Sequence, residues 1–253
     1  MDLKDKVIAI TGGAQGLGHA MAEVFADSGA KLALLDMQED SLKSAVEAFS
    51  AKGVEAEYFV VNVTEEEQVE ATFAKIVERF GQLNGLINSA GIMRDGLLLK
   101  VKEGKVVDKM SKQQFQSVLD VNVTGTFLCS REAAAQMIET GSEGVIINIS
   151  SVSRGGNMGQ TNYSASKSAV STMTVSWGKE LARYNIRTGC IAPGLVETAM
   201  ARQMRPEMLE RFLSTVPLRR LADPAEMGHC AKFIFENEYF TGRTIELDGG
   251  TRV

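Results

Sequence analysis

Residues 7-VIAITGGAQGLG-18 decide the fold. The near-continuous apolar run VIAI describes a strand covered on both faces, the condition of a parallel sheet rather than of a sheet with one wet side. Glycines follow at 12, 13, 16 and 18, and the next stretch carries helical periodicity over about 17–28. A glycine-rich turn between strand and helix lets the backbone adopt positive φ and brings main-chain N–H groups to the positive end of the helix, where a pyrophosphate binds. Such a glycine pattern is weak by itself. Its place at the first strand-to-helix turn, early in a βαβ pattern, makes it a dinucleotide site.

Outward from this turn the same rhythm repeats. Short apolar or β-branched runs recur at 31-KLALLD, 56-AEYFVVNV, 84-NGLINSAG, 144-GVIINISS, 186-IRTGCIAPG and 244-TIELDGG, with helical patterns over about 39–51, 65–80, 111–139, 161–184 and 223–236. Strand alternating with helix predicts an α/β protein: a single doubly wound, Rossmann-type domain over 1–253, with a parallel sheet of about seven strands and helices on both faces. Two segments interrupt it. Residues 94–110, RDGLLLKVKEGKVVDKM, contain an EGK turn between short alternating runs and read as an inserted hairpin or long loop. Residues 195–217 read as a substrate lid, with Met200, Met204 and Met208 forming a stripe that suits either packing or a mouldable apolar wall. Both segments belong at the carboxyl edge of the sheet, where open α/β folds bind ligands.

Composition narrows the function. A net charge of −5 offers no basic field to nucleic acid or an anionic membrane. No apolar run approaches a membrane span and the charged start does not resemble a signal peptide, so a cytoplasmic protein working on small molecules is expected. Cys129, Cys190 and Cys230 are scattered among apolar neighbours, as reduced core thiols are, and His19 and His229 form no cluster; no metal site is expected.

Two positions carry chemistry of their own. Asp36 ends the second strand, where a carboxylate accepts hydrogen bonds from the adenosine ribose and repels a 2′-phosphate, which favours NAD over NADP; it also suits a cap for the next helix. No Arg or Lys stands in GGAQG or directly after Asp36. In 163-YSASK-167 a phenol and an amine lie one helical turn apart, and a nearby cation would lower the Tyr163 pKa towards neutrality.

Together these motifs resemble the short-chain dehydrogenase/reductase family over essentially the whole chain. The loop 11-TGGAQGLG-18 is similar to its TGxxxGxG, with Gly12, Gly16 and Gly18 in the glycine positions; 88-NSAG-91 resembles NNAG, 163-YSASK-167 resembles YxxxK, 193-PGLVET-198 resembles PGxxxT, and the chain ends in the family's DGG. The resemblance implies that Tyr163 exchanges a proton with the reacting oxygen while hydride passes to or from a nicotinamide, and that Lys167 holds the nicotinamide ribose. It implies a strand-end serine beside them, Ser151 by alignment of the strand end or Ser150 by counting back from Tyr163, and an Asn122 that holds a water behind Lys167. Cofactor contacts are implied for Gln15 and Leu17 in the glycine loop, for Asn62 and Val63 beside adenine, and for Asn88, Ala90 and Gly91 after the fourth strand. Pro193, Gly194, Val196 and Thr198 are implied beneath the nicotinamide. Two departures stand out: Asn62 replaces a more usual Asp, and Ser89 the second Asn of NNAG.

Within the family the chain looks most like the 3-oxoacyl-acyl-carrier-protein reductases. That group characteristically reads NADPH, whereas Asp36 points to NAD. Basic residues expected for docking an acidic carrier protein are replaced by 139-ETGSEG-144 and Tyr184-Asn185. A free hydroxyl or keto compound or an acyl thioester is therefore the expected substrate, and a homotetramer the expected assembly. A nicotinamide-binding regulator is the alternative.

Overall fold

The computed structural model describes residues 1–198 and 206–251. Seven parallel strands form one sheet in the order β3-β2-β1-β4-β7-β8-β9. They are β1 Val7–Thr11, β2 Lys31–Asp36, β3 Ala56–Val60, β4 Gly85–Asn88, β7 Gly144–Ile149, β8 Ile186–Pro193 and β9 Arg243–Leu247. The remaining two strands, β5 Leu99–Lys102 and β6 Lys105–Lys109, pair as a separate antiparallel hairpin. The strand order turns back between β1 and β4, which places a crevice at their carboxyl ends.

Alternation along β1 shows how both faces are filled. Ile8 and Ile10 enter a core with Met21 and Phe25 of α1 (Gly16–Asp27), Leu42 and Phe49 of α2 (Glu39–Ala51) and Ile234 and Phe235 of α8 (Pro224–Glu236). Val7 and Ala9 enter the opposite core with Phe73 and Ile76 of α3 (Glu66–Phe80) and Cys129 and Met137 of α5 (Thr126–Glu139). The Phe25 and Phe235 rings meet edge to face at 5.0 Å between centroids, locking α1 against α8. Gly85 must be small here: a Cβ on it would stand 2.6 Å from the Phe235 ring.

Helix ends follow local chemistry. Asp223 accepts from the Ala225 amide and exchanges bonds with Glu226 ahead of Pro224, a capping box that starts α8. At the other end Arg187 donates to the carbonyls of Ile234, Phe235, Asn237 and Phe240, at 2.7–3.1 Å.

Three sequence expectations are refined. The helix predicted over 111–139 is three pieces: α4 (Lys112–Leu119), a π-helical stretch Asp120–Gly125, and α5. The periodicity of its apolar residues survives one extra residue in a turn, so the sequence alone read it as continuous. The predicted insertion contains a hairpin whose turn residues Glu103 and Gly104 both have positive φ, the conformation a tight two-residue turn requires. The helix predicted to 184 ends earlier, α6 (Thr161–Glu180) giving way to a 3-10 turn at Ala182–Tyr184. Of the predicted lid, α7 (Pro206–Thr215) is present; Met200 and Met204 fall outside the described residues. Among the described residues no helix is long and apolar enough to cross a membrane, and no group of three or more His, Cys, Asp or Glu could hold a metal ion.

Candidate active site

The glycine turn is shaped by close approaches. Gly12 and Gly16 have φ of +65° and +62°. A Cβ on Gly18 would lie 2.2 Å from the Gly12 carbonyl oxygen, so α1 can begin this close to β1 only without a side chain there. Gln15, the residue before α1, places no side chain over the helix start. The first-turn amides, which have no helical carbonyl to meet, are thus left to a ligand, and nothing lies within 4 Å of where a Gly16 Cβ would stand. This cradle fits a pyrophosphate.

Next to it, Thr11 Oγ1 accepts from the amides of Ser89 and Ala90, each at 3.1 Å, which staples the turn after β4 to the end of β1. Thr11 opens the TGxxxGxG match, but motif reading gave it no role of its own. At the end of β2, Asp36 Oδ1 accepts from the amides of Met37 and Gln38, so the carboxylate does shape the entry to α2. Lys43, the first basic residue after it, is held by Glu39 at 2.8 Å. Asn62 Oδ1 accepts from Thr64 N and Oγ1 and starts the turn into α3. Val63 packs on Gly125, where a Cβ would come within 2.7 Å.

Asn88 is buried and bridges layers: its Nδ2 donates to Ser130 Oγ (2.9 Å) and Asn148 Oδ1 (2.8 Å), and Asn148 in turn donates to Thr174 on α6 at 2.9 Å. Asn148 was not singled out by sequence, because an Asn inside GVIINI has no motif to mark it.

The reacting end gathers on α6. Lys167 is 6 % exposed; its Nζ donates to the Ile149 carbonyl at 2.7 Å and stands 5.6 Å from the centroid of the Tyr163 ring. Burial pulls its pKa down to about 8. Burial also pushes the Tyr163 phenol above its ordinary value; the hydrogen bond with Ser151 draws it back, and the Asp95 carboxylate adds to the rise. The expected drop of the phenol towards neutrality is therefore not what this geometry produces. Taking each group out of water dominates its shift, and the amine is engaged by the Ile149 carbonyl rather than by the phenol.

The two serines part company. Ser150 Oγ donates to the Lys167 carbonyl at 2.8 Å and accepts from Ser171, tying β7 to α6. Ser151 accepts from the Ser153 amide, and its hydroxyl is near enough to Tyr163 to draw the phenol pKa down. Only Ser151 faces the phenol.

Asn122, 1 % exposed, lies in the π-helical stretch. Its Oδ1 accepts from Ile92 N at 2.8 Å, and its Nδ2 donates to Ile92 O and Ser166 Oγ, each at 3.0 Å. A Cβ on Gly91 would sit 3.3 Å from Asn122 Oδ1 and 3.5 Å from Lys167 Nζ. Glycine there keeps that space between amide and ammonium open. Pro193 ends β8, the Gly194 amide bonds the Leu247 carbonyl, and a Cβ on Gly194 would approach Asp248 Cα to 2.8 Å. Val196 is buried, and the Thr198 amide donates to the Val196 carbonyl at 2.9 Å.

Glycine cradle, amide bridge and Ser–Tyr–Lys group thus share one edge of the sheet. Comparison with known proteins agrees in extent. A family model described as enoyl-(acyl carrier protein) reductase matches residues 12–252. The chain is similar to the 3-oxoacyl-acyl-carrier-protein reductase of Thermotoga maritima, 38% identical over 253 residues and covering 99% of both chains. It is also similar to the enzymes of that name from Chlamydia muridarum, 34% identical and covering 98% of both, and Staphylococcus aureus, 34% identical and covering 97% of both. On this matched length, and on the nucleotide cradle it folds into, the chain belongs to the short-chain dehydrogenase/reductase family of nicotinamide-dependent oxidoreductases.

Proposed function

We propose that the protein interconverts a secondary alcohol and a ketone with NAD(H), with Tyr163 as the acid and base. One observation carries the reading: Ser151 lies where its hydroxyl acts on the Tyr163 phenol, and the buried Lys167 amine stands 5.6 Å from the ring centre, at the sheet edge that holds the glycine cradle. The nicotinamide, when bound, supplies or accepts the hydride. In reduction, Tyr163 O–H gives its proton to the carbonyl oxygen as the C–H bond forms, and Ser151 orients that oxygen and stabilises its growing charge. In oxidation the same oxygen returns the proton to the phenolate. Lys167 stands beside the phenol ring, where a cationic amine stabilises phenolate, and Asn122 borders that amine across Gly91.

NAD is favoured by the Asp36 carboxylate and by the pairing of Lys43, the first basic residue after it, with Glu39. For the substrate, the relatives named above are reductases of acyl-carrier-protein thioesters, which supports a 3-oxoacyl group. The region after α5 presents exposed Glu139 and Glu143, with Glu143 bonded to Lys6, and Tyr184 is 47% exposed. This surface suits a free or CoA-bound acyl group better than an acidic carrier. A homotetramer is supported by the exposed Phe127 and Ile138 on α5, and sedimentation tests it. The deciding experiment is an absorbance assay with NAD(H) and NADP(H) across secondary alcohols, keto esters and 3-oxoacyl thioesters on CoA and on carrier protein. Cofactor binding without turnover across this panel would instead favour a nicotinamide-binding regulator, and full activity of Tyr163→Phe would remove Tyr163 as the acid and base.

A further inference from the structure

Both main-chain polar groups of Tyr163 are held by side chains that also grip the segment leaving β4. Tyr163 lies in the first turn of α6, where an N–H has no helical carbonyl to meet. It donates instead to Asn162 Oδ1 at 2.8 Å. Asn162 Nδ2 reaches across to the carbonyls of Arg94 (2.9 Å) and Gln114 (3.1 Å). Gln114 Nε2 answers with bonds to the carbonyls of Arg94 and Asp95, both at 3.0 Å. On the other side, the Tyr163 carbonyl accepts from Ser166 Oγ at 2.7 Å, and Ser166 is held by Asn122, the amide that brackets Ile92.

The grip is specific. Asn162 is 0% exposed, and its two donors and its acceptor are all used in this one arrangement, which a rotated or shorter side chain would not reproduce. A Cβ on Gly96 would stand 2.7 Å from Gln114 Nε2, so the chain is kept small where the amide passes. Two more bonds follow the same seam: Gly96 N to Gly159 O at 2.8 Å and Gln160 Nε2 to Asp95 Oδ2 at 2.9 Å. Residues 94–96 are the root of the β5–β6 hairpin, whose strands are otherwise exposed along their length.

We propose that Asn162 is a positioning residue for Tyr163, with Gln114 as the other half of an amide clamp that fastens the phenol's helical turn to the root of the hairpin. The hairpin thereby sets where the phenol stands, and a substrate that presses on the hairpin is felt at Tyr163. The inference rests on Tyr163 being the proton-transfer group. The carboxylate that acts on the phenol, Asp95, comes from the hairpin root, and Lys167 of α6 stands 5.6 Å from the ring centroid; the clamp keeps the phenol half-buried and the carboxylate near.

The test is an ultraviolet difference titration of Tyr163 in Gln114→Ala and Asn162→Ala, each read against the same variant carrying Tyr163→Phe so that the other three of the four tyrosines cancel. Loss of the clamp admits water and loosens the segment that carries Asp95, so the midpoint should fall towards the ordinary phenol value. With acetoacetyl-CoA and NADH, kcat should fall by roughly 10- to 100-fold with KM for NADH within about twofold, because misplacement affects the chemical step and not the cradle. Asn162→Asp keeps the acceptor for the Tyr163 amide and loses both donors; kcat should fall as in Gln114→Ala, while the added carboxylate opposes the fall of the midpoint. An unchanged Tyr163 midpoint in folded Gln114→Ala overturns the clamp, even if the melting temperature drops. If Asn162→Ala does not fold, Gln114→Ala decides. Activity surviving in Tyr163→Phe would overturn the catalytic reading instead, and the titration would still judge the clamp.

Discussion

Lys167→Met should make the protein more stable and inactive. The amine is buried at 6% exposure and burial holds its pKa at about 8, against about 10.4 in an unfolded chain. A base with a depressed folded pKa costs stability while it is charged in both states, that is below pH 8. The cost fades as pH rises from about 8 to above 10, because the unfolded chain then binds the proton that the folded one has lost. A shift of this size corresponds to about 3 kcal/mol at neutral pH, at about 1.4 kcal/mol per pKa unit. A buried methionine of similar length removes the charge but also the bond to the Ile149 carbonyl, worth about 2 kcal/mol for a charged donor, so a gain of about 1 kcal/mol is expected. For a chain of this length that is a rise of about 2–4 °C in melting temperature. Thermal melts of both proteins without cofactor, from pH 7 to 9.5, provide the measurement. Their difference should be largest at pH 7 and shrink as pH rises, other titrations cancelling. A variant that melts lower at pH 7, or a difference independent of pH, would refute a strained, desolvated amine held for function.

Other outcomes follow from single contacts. Gly18→Ala drives a methyl into the Gly12 carbonyl, 2.2 Å away, and should weaken NAD binding by about tenfold or more by calorimetry as the turn opens. Ser151→Ala should lower kcat by about 100-fold or more, as loss of one donor to a developing oxyanion does, whereas Ser150→Ala should cost about 1–2 kcal/mol in urea unfolding with kcat nearly kept. Asp36→Ser combined with Met37→Arg should turn the ratio of kcat/KM for NAD over NADP by about 100-fold or more, since a repelling carboxylate gives way to a bidentate phosphate donor.

Much of this was readable from residue order because it depends on local repetition. Strand runs and helical periods alternate strictly enough to specify a parallel sheet, and the boundaries of α2 agree with the reading to the residue. The hairpin at 99–109 was legible from a turn between alternating runs. The break at Asp120–Gly125 was legible only in part: the family resemblance puts a disturbed helix at Asn122, but the π-helical form, with Asn122 bonded to Ile92 and Ser166, shows only in the fold. Asn162, Gln114 and Asn148 escaped notice, and Thr11 was given no role, for a similar reason, since an amide or hydroxyl acquires its role from the carbonyl or amide it meets across the fold.

The sequence by itself determined the sheet class, the glycine cradle, the acidic end of β2 and the presence of a Tyr–Lys pair one turn apart, because these rest on backbone sterics and on spacing along one element. Tertiary structure alone decided which serine faces the phenol, which carbonyl takes the lysine, and in which direction each pKa moves. Burial is a property of the packed whole, and the cost of removing a charge from water depends on every element that covers it.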